Sequence, residues 1–427
     1  MSSSATPVAQ KTPGRAAFSF ILVMVAFDFL SFGIIAPIFP DLIRSFEGGD
    51  FARASSIAGY FGLAWASMQF AFSPLLGAWS DRFGRRPIIL ISCFGLAADY
   101  VIMALAPSLL WLFVGRVISG ITTSNVATAF AYVTDVTPPE KRAKPFGLIS
   151  AAFGLGFVIG PAVGGYLGNS NLRLPFWVAA GLSLANALYG YFVLPESLPR
   201  EQRAKSAWHM ANPLSPIKLF RSHPTLAGLS VVTTLYYLAH NSLPSMWAYY
   251  TEYRYRWNHR DVGLSLAVVG VSAALVSGVL VGPYVKRFGE RFSLVSGLIF
   301  GTIGFLCFAL APTALILMST IPFIALWGIA APAVQSLMSR HVDPSSQGKL
   351  QGGINSLRAI TGMAGPVLFT QVFKHAISPG SSIKLPGAPY LLAAFLLGMS
   401  MLLAAYVTRA HDFIRPATAS ASGTPSD

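Results

Sequence analysis

Two acidic residues lie in the middle of long apolar stretches of this 427-residue sequence. Asp28 lies within residues 18–40, and Asp99 lies within residues 87–106. A charged side chain in the hydrocarbon of a membrane costs about 2.5–3.5 kcal/mol, so acids at such positions are rare and commonly functional. A low-dielectric surrounding favours the neutral form of a carboxyl group. We therefore predict that Asp28 and Asp99 bind and release protons.

Arg116 lies in a third apolar stretch, residues 108–131. We expect it to pair with Asp28, so that Asp28, Asp99 and Arg116 form a proton-coupling group. The alternative for each residue is a structural role, in which a neutral acid or an ion pair only holds two helices together.

A short charged loop, residues 77–86, links two apolar stretches and holds four charges in ten residues. We interpret it as a gate, in which Asp81 faces a helix N-terminus or pairs with a neighbouring Arg, and Gly84 permits a tight turn. Asp135 is the expected partner of Arg85. The alternative is that the basic residues only anchor the loop on one side of the membrane. The residues assigned to gating are Gly77, Asp81, Arg82, Gly84, Arg85, Arg86 and Asp135.

Glycines recur every four residues within the apolar stretch 146–168, from Gly156 to Gly168. On a helix they form one stripe, which lets a second backbone approach closely. We predict a packing face that also serves as a hinge. Its residues are Gly156, Gly160, Pro161, Gly164 and Gly165.

The second half of the sequence has no acidic residue deep within an apolar stretch, but it has amides, aromatic residues, a histidine and an arginine there. This asymmetry predicts that the first half handles protons and the second half handles substrate. The histidine, His240, can also titrate near neutral pH. The alternative is that each polar residue only satisfies a neighbouring helix. The candidate substrate-binding residues are Gln69, Asn125, Asn186, His240, Asn241, Gln335, Asn355 and Arg358.

The composition shows that lipid must cover much of the surface of the helices that position these residues. The sequence is 54% hydrophobic and 11% charged, whereas a soluble protein carries roughly 25% charged residues. The net charge of +14 therefore indicates basic loops on one side of a membrane and no nucleic-acid partner. The two cysteines lie inside apolar stretches and give neither a disulfide framework nor metal-ligand spacing.

Twelve stretches are long enough to span a membrane, each needing about 20 residues. We predict an all-α membrane protein with twelve transmembrane helices in two pseudo-symmetric six-helix halves. The predicted spans are 18–40, 57–78, 87–106, 108–131, 146–168, 174–194, 224–246, 262–285, 292–311, 313–336, 350–373 and 388–408.

Basic residues predict the orientation. With the N-terminus in the cytoplasm, 20 of the 30 Lys and Arg residues lie on the cytoplasmic side, 8 on the opposite side and 2 within spans. Both termini are therefore expected to be cytoplasmic, and no cleavable signal peptide is expected. The predicted organisation is a cytoplasmic segment 1–17, a first half 18–194, a Pro-rich linker 195–223, a second half 224–408 and a disordered tail 409–427.

The two halves are related by an internal repeat at an offset of 205 residues, in which the loop 77–86 has a weaker copy at 282–291. Parallel repeats are a recurrent plan of transporters, with substrate between the halves and rocking that alternates access. Further aligned pairs are Ala106-Pro107 with Ala311-Pro312, Pro139 with Pro344, Lys144 with Lys349, Gly147 with Gly352, and Gly160-Pro161 with Gly365-Pro366.

No enzyme site is recognisable. The sequence has no phosphate-binding Gly-Lys-Ser loop and no His, Cys and acid cluster with metal spacing. We expect no enzymatic activity, no cofactor and no metal. An ion gradient is then the expected source of work, at about 2.3 kcal/mol per charge per 100 mV.

Three features resemble the major facilitator superfamily: Gly77-x-x-x-Asp81-Arg82-x-Gly84-Arg85-Arg86, the Arg116-containing span, and Gly156-x-x-x-Gly160-Pro161-x-x-Gly164-Gly165. The last is similar to the motif that marks proton-coupled exporters. Segments that resemble the tetracycline/proton antiporter branch are Phe27-Asp28, Met68-Gln69-Phe70, Ala98-Asp99-Tyr100, Gly115-Arg116, 135–140, 194–198 and 347–352. The resemblance covers roughly residues 18–410. It implies proton-driven efflux, with Asp28, Asp99 and Arg116 in coupling or binding roles and Asp81 and Arg85 in gating.

Two positions depart from that branch. Its members carry an acid in the ninth span, where Gly301 aligns here, and a histidine in the eighth span, where Ala273 aligns. These differences disfavour tetracycline itself as the substrate and leave the proton machinery plausible.

These observations predict a proton-coupled secondary active transporter of the inner cell membrane. It is expected to export a small amphipathic organic compound, tetracycline-like or another drug, by alternating access. The alternatives are a proton-coupled uptake symporter for a metabolite and a membrane sensor that binds a ligand without transporting it. The expected partners are the small-molecule substrate, protons and the lipid bilayer, and the chain is expected to be a monomer.

Overall fold

The computed structural model describes residues 15–123, 125–138, 141–203, 216–221, 223–343, 346–381 and 384–409. Within these ranges the chain forms α-helices and no β-strand, which confirms the predicted all-α class. Most of the predicted N-terminal segment, residues 204–215 and 222 of the predicted linker, and the tail from residue 410 lie outside the described residues.

Within the described ranges, eight helices form the first half. They are α1 (Arg15–Ile35), α2 (Phe39–Phe46), α3 (Phe51–Phe83), α4 (Arg85–Leu105), α5 (Leu109–Thr122), α6 (Asn125–Val136), α7 (Ala143–Ser170) and α8 (Leu174–Val193).

Among the described residues, a short helix precedes the second half, which holds eight longer ones. They are α9 (Pro216–Arg221), α10 (Pro224–His240), α11 (Ser242–Tyr255), α12 (His259–Leu275), α13 (Val281–Leu310), α14 (Ala314–Ala325), α15 (Ala330–Ser339), α16 (Gln347–Ile377) and α17 (Ala388–Arg409). A π-helical stretch, Val276–Leu280, joins α12 to α13, and a 3₁₀ turn, Leu326–Ile329, joins α14 to α15.

Local sequence explains where several helices begin and end. Pro40 lies in the first turn of α2, where a missing backbone N–H is harmless, and α1 and α2 meet at 41°. Asp50 begins α3 by accepting hydrogen bonds from the backbone N–H groups of Ala52 (2.8 Å) and Arg53 (3.1 Å). α3 ends at Gly84, whose φ of 108° is a conformation that favours glycine.

The repeat predicted from the sequence is visible in the backbone. Gly289, at the position aligned with Gly84, also has a positive φ, of 78°. Ala106 follows α4 with φ −48° and ψ 118°, and the aligned Ala311 follows α13 with φ −51° and ψ 117°. The same helix breaks at the same positions confirm two pseudo-symmetric halves.

Seven described helical stretches are long and apolar enough to cross a membrane, and eight if the bent pair α1 and α2 counts as one span. Helices nevertheless occupy each of the twelve predicted spans. The difference arises because several spans are broken in two, and because α13 continues through the kink at Gly289 from one predicted span into the next. The chain is a multi-pass membrane protein. The count of twelve crossings and the domain boundaries stay predictions.

Each half packs around its own helices. In the first half α1 packs on α7 and α8, and α4 packs on α8; in the second half α10 and α13 both pack on α17. Buried aromatic side chains, including Phe305, Phe308 and Tyr390, fill the second half. The two halves meet mainly along two helix pairs, α7 with α12 and α3 with α16, and α11 adds a smaller contact with α3.

The halves touch at one end of the bundle. We call the end that carries the 77–86 loop the basic end, and the end that carries α2 and the turn before α12 the far end. At the far end, a Cβ added to Gly59 of α3 would lie 3.1 Å from the carbonyl oxygen of Pro366 in α16. Gln371 of α16 also donates a hydrogen bond to Ser56 of α3 (2.7 Å).

Toward the basic end the same helix faces are open. Gly77 lies five helical turns after Gly59, so it is on the same face of α3. Gly352 lies on nearly the same face of α16 as Pro366. A Cβ added to Gly77 or Gly352 would meet nothing within 4 Å. The halves therefore contact each other at the far end and diverge at the basic end.

Candidate functional site

Asp28 lies in the middle of α1 and is bonded to α8. Asn186 donates hydrogen bonds from its Nδ2 to Asp28 Oδ1 (3.2 Å) and to the carbonyl oxygen of Met24 (3.2 Å). Asp28 is 9% exposed and Asn186 is 1% exposed. The Asp28 carboxyl therefore faces the protein interior and not lipid. Asn186 was predicted to bind substrate, but in this conformation it contacts Asp28 instead.

Arg116 pairs with Asp99, so the prediction that it pairs with Asp28 was wrong. The Arg116 guanidinium on α5 donates a hydrogen bond to Asp99 on α4, and Asp99 is fully buried. The physical reason is the antiparallel hairpin of α4 and α5. Both residues lie about equally far from the turn at Pro107, so they meet across the helix pair. The similar distances of Asp99 and Arg116 from Pro107 can be read from the sequence, and they indicate this pair.

Arg85 organises the loop at the basic end. Its Nε donates to Asp135 Oδ2 (3.0 Å), and its Nη1 donates to Asp81 Oδ1 (2.5 Å) and to Ser80 Oγ (3.1 Å). The predicted Arg85–Asp135 pair is confirmed, and Asp81 pairs with a neighbouring Arg as expected. These bonds join the adjacent ends of α3, α4 and α6. The gating role assigned to this group stays a prediction.

Glu196 completes this loop and was not among the predicted gating residues. Its carboxylate accepts hydrogen bonds from the backbone N–H groups of Arg85 (2.8 Å) and Arg86 (3.3 Å), at the N-terminus of α4. An anion is stabilised there by the free N–H groups and the helix dipole. Gly84 is required for this approach, because a Cβ at Gly84 would lie 2.6 Å from Glu196 Cδ.

The glycine stripe of α7 packs against α1. A Cβ on Gly160 would lie 2.7 Å from Cα of Gly33, and a Cβ on Gly156 would lie 2.8 Å from the backbone nitrogen of Leu30. The predicted packing face is therefore confirmed. Gly165 also faces α12, where an added Cβ would lie 3.1 Å from the carbonyl carbon of His259. The hinge role of the stripe and of Pro161 stays a prediction.

Exposed polar side chains line the second half. The His240 ring lies 5.5 Å from the Trp327 ring, and His240 is exposed. Arg358, also exposed, donates to the hydroxyl of Tyr237 (2.9 Å) and lies over that ring at 4.7 Å. These residues belong to α10, α16 and the 3₁₀ turn between α14 and α15, and together they form one polar wall.

The remaining predicted substrate residues differ in their surroundings. Gln335 is exposed and donates to the side chain of Gln351 (3.0 Å). Asn241 donates to the carbonyl oxygen of Tyr237 (2.8 Å), so it makes a local contact at the end of α10. The side chain of Asn125 lies outside the described residues.

Gln69 and Asn355 both lie on the helix faces that border the opening between the halves. Gln69 lies on the face of α3 that carries Gly62, and a Cβ on Gly62 would touch Pro366 of α16 at 3.0 Å. Asn355 lies about three turns before Pro366 on the same face of α16 and is exposed. The register of two packed helices therefore places both amides on the open, basic side of their contact.

Gly301, where the resembling branch carries an acid, lies under an indole ring. A Cβ on Gly301 would lie 2.8 Å from Trp327 Cδ1 and 2.7 Å from Leu397 Cδ1. An acidic side chain has no room at this position unless Trp327 moves. The Trp327 ring also packs on Tyr236 at 4.8 Å, so aromatic rings fill the place of the missing charge.

A group of titratable residues at the far end was missed. Asp41, Glu252 and His259 have ligand-type atoms within 4.8 Å of one another. Arg44 contacts Asp41 and lies 3.7 Å from Glu252 Oε2, and its positive charge disfavours a metal cation at this group. Asp41 and Glu252 lie just beyond the predicted first and seventh spans, so they were not considered as intramembrane acids.

Comparison with known proteins identifies the family. The sequence model described as the Major Facilitator Superfamily matches residues 21–366. The chain is 38% identical over 361 residues to the class C tetracycline resistance protein of Escherichia coli, covering 84% of this chain and 90% of that protein. It is 34% identical over 381 residues to the class D tetracycline resistance protein of Salmonella ordonez, covering 88% and 93%.

A solved structure supports the same fold. The structure of a bacterial homologue of the human lysosomal transporter Spinster, in an inward-facing and unoccupied conformation, superposes with a TM-score of 0.76. It is 18% identical and covers 96% of this chain and 100% of that one. With the family match over residues 21–366 and the resistance proteins as relatives over most of its length, the chain belongs to the Major Facilitator Superfamily, in the branch of the tetracycline resistance proteins.

Proposed function

We propose that this protein is a proton-coupled secondary transporter that exports a small amphipathic compound by alternating access. The observation that carries the proposal is the Asp28 carboxyl, which is 9% exposed in the middle of α1 and accepts a hydrogen bond from Asn186. An acid at that depth is tolerated when it is neutral or well bonded, and it is a candidate proton carrier. The relatives are named for tetracycline resistance, which supports export over uptake.

The basic end is proposed to face the cytoplasm. Of the 30 Lys and Arg residues, 20 fall on that side in the twelve-span arrangement, and basic loops are retained in the cytoplasm. In this orientation both termini are cytoplasmic, and the described conformation is open toward the cytoplasm. Substrate then enters from the basic end, between Gln69 of the first half and Asn355 of the second. The opening lies within one chain, which supports a monomer as the working unit.

The first half is proposed to supply the proton exchange and the gate. Asp28 takes the proton, while the buried Asp99–Arg116 pair fixes α4 against α5 and contributes to coupling through its charge. The Arg85 network joins α3, α4 and α6 at the end where the two halves diverge. When the halves close at this end, α3 must approach α16, so the position of this loop controls access.

The second half is proposed to select the substrate by charge. His240, Asn355 and Arg358 are exposed there. The four acids of the second half lie near helix ends, and they are Glu252, Asp261, Glu290 and Asp343. A wall with a guanidinium and no carboxylate favours anionic or neutral ligands over cations. The aromatic rings that pack around Gly301 favour a substrate with a flat ring system. We therefore propose a neutral or anionic amphipathic aromatic compound.

Inverted membrane vesicles with an acidic interior test the coupling. Wild-type protein should accumulate labelled tetracycline, or the best ligand from a thermal-shift screen, and collapse of the proton gradient should release it. Asp28→Asn should abolish this accumulation, because an amide cannot exchange a proton. Asp50→Asn is the matched control, since Asp50 is exposed and Asn caps a helix equally well. Full accumulation by Asp28→Asn would reject the coupling role.

The same vesicles separate the alternative functions. Proton-driven movement in the opposite direction would identify an uptake symporter, and ligand binding without flux would identify a sensor. For the substrate class, the screen should include anionic, neutral and cationic aromatic compounds of similar size. A preference for the cations would contradict the proposed selection by Arg358.

A further inference from the structure

Four titratable or charged side chains join the halves at the far end. Asp41 and Arg44 lie on α2 in the first half, Glu252 lies on α11, and His259 begins α12 in the second half. The His259 ring contacts Asp41, and Arg44 contacts Asp41 and lies 3.7 Å from Glu252 Oε2. Among the described residues, every ion pair that joins the two halves lies in this group. We call these four residues the far-end latch.

Of the four latch residues, Glu252 is the one whose ionised form is least stabilised by its surroundings. It is 5% exposed, and within the described part of the chain neither of its carboxyl oxygens accepts a hydrogen bond. A second carboxylate, that of Asp41, lies within 4.8 Å. Burying an ionised carboxylate without hydrogen-bond donors is strongly unfavourable, and a like charge adds to that cost. A protonated Glu252 removes both costs, because its O–H is a donor and Asp41 is an acceptor.

Within the described residues, no neighbouring group donates a hydrogen bond to Glu252. Tyr249, on the same helix, donates its hydroxyl to the carbonyl oxygen of Ala54 on α3 (3.2 Å). α16 contacts α11 through Phe373, whose ring lies 5.9 Å from that of Tyr253. From α2 and α12 come one guanidinium, one carboxylate and one imidazole. The His259 imidazole contacts Asp41 and the Arg44 guanidinium is shared between both carboxyls, so a proton on Glu252 is what removes the like charge between them.

We infer that the far-end latch binds one proton, on Glu252, when the far end is closed, and releases it to the far side when the latch opens. Opening separates α2 from α11 and α12 and admits water to both carboxyls, which then ionise. Closing therefore takes up a proton, so acid on the far side favours the closed state. The inference rests on the proposed alternating access. It assigns the latch to the return step after substrate leaves, whereas Asp28 carries the proton that crosses the membrane.

Distance measurements on the full chain in lipid nanodiscs test this inference without substrate or gradient. Nitroxide labels at Ser45→Cys and Gly380→Cys report the far end, in a background of Cys93→Ala and Cys307→Ser. Both label positions are exposed, and Gly380 has open space around it. Between about pH 8.5 and about pH 5.5 the short distance should become more populated. A single bound proton shifts the closed-to-open ratio by up to about tenfold per pH unit.

Variants assign the pH response to a residue. Glu252→Gln should keep the short distance at both pH values, because an amide donates to Asp41 as the protonated acid does. Asp41→Asn should also lose the pH response, since Glu252 can then stay ionised beside Arg44. It serves as the second variant if Glu252→Gln does not fold. Glu47→Gln, at the residue that follows α2, is the matched control and should respond like the wild type.

Two outcomes overturn the inference: a wild-type distance that does not change with pH, or a full response in Glu252→Gln. The second outcome, together with loss of the response in Asp28→Asn, would move the titrating site to Asp28. The export proposal fails separately, in the vesicle assay. A normal pH-dependent distance with no proton-driven flux would reject export and leave the latch in place.

Discussion

The two repeat-related loops at the basic end contain the same ion pair with its charges exchanged. In the first half, Arg85 Nε donates to Asp135 Oδ2 at 3.0 Å. At the two aligned positions of the second half, Arg340 Nη2 donates to Glu290 Oε1 at 2.8 Å. The acid and the base have changed places between the loop and the neighbouring helix. Duplication has therefore kept a contact that joins two helices, while the sign of each partner has been free to change.

The surroundings of the two pairs differ more than the pairs themselves. The Arg85 side chain is 12% exposed and bonds to Asp81 as well, whereas the Arg340 side chain is 70% exposed. Among the described residues, a carboxylate caps the helix that follows the loop only in the first half, and it is that of Glu196. The first loop is a closed charge network, whereas the second is a pair whose basic partner is exposed and whose acid, Glu290, also accepts a hydrogen bond from Ser336. This contrast is the structural reason for assigning gating to the first half.

Charge reversal should give the largest difference between the loops. Arg85→Glu places a third carboxylate beside Asp81 and Asp135, and loss of a partner from a largely buried pair costs about 3 kcal/mol. Arg340→Glu removes the exposed partner of the second pair and should cost about 1 kcal/mol or less. The double change of Arg85→Glu with Asp135→Arg should recover part of the loss. Thermal unfolding of detergent-purified protein measures these effects, and equal losses in both halves would remove the asymmetry.

Alanine at the two loop glycines should give a smaller contrast. Gly84 and Gly289 both have the positive φ, extended ψ combination that costs other residues about 1–3 kcal/mol. At Gly84 the new Cβ also meets the Glu196 carboxyl, whereas at Gly289 it meets nothing within 4 Å. Gly84→Ala should therefore lower the unfolding temperature more than Gly289→Ala. The opposite order would show that the Glu196 cap contributes little.

Alanine at the helical glycines Gly77 and Gly282 should separate stability from gating. Neither position has an atom within 4 Å of an added Cβ, so both changes should leave the fold intact or stabilise it by about 0.5–1 kcal/mol. Gly77 lies on the face of α3 that must approach α16 when the basic end closes. Vesicle uptake should fall for Gly77→Ala and stay near wild type for Gly282→Ala. Equal uptake by both variants would argue against a gating role for Gly77.

The contacts predicted from the sequence were correct where the order of spans and loops leaves few possible partners. Arg85 and Asp135 both follow apolar spans on the same side of the membrane, so few partners are available at their depth. Arg116 had two acids at a similar depth, and depth alone could not choose between them. The hairpin geometry of α4 and α5 made the choice in favour of Asp99.

The sequence by itself determined the helical class, the duplication, the likeness of the two loops and the side that carries the basic residues. Each of these follows from the length of apolar stretches, from charge counts or from aligned glycines, which are properties of short segments. Only the tertiary structure decided which distant side chains meet and which end of the bundle is closed. Asp41 and Glu252 come together because the rotation and tilt of α2 and α11 are set by the packing of the whole bundle, and no short segment encodes that arrangement.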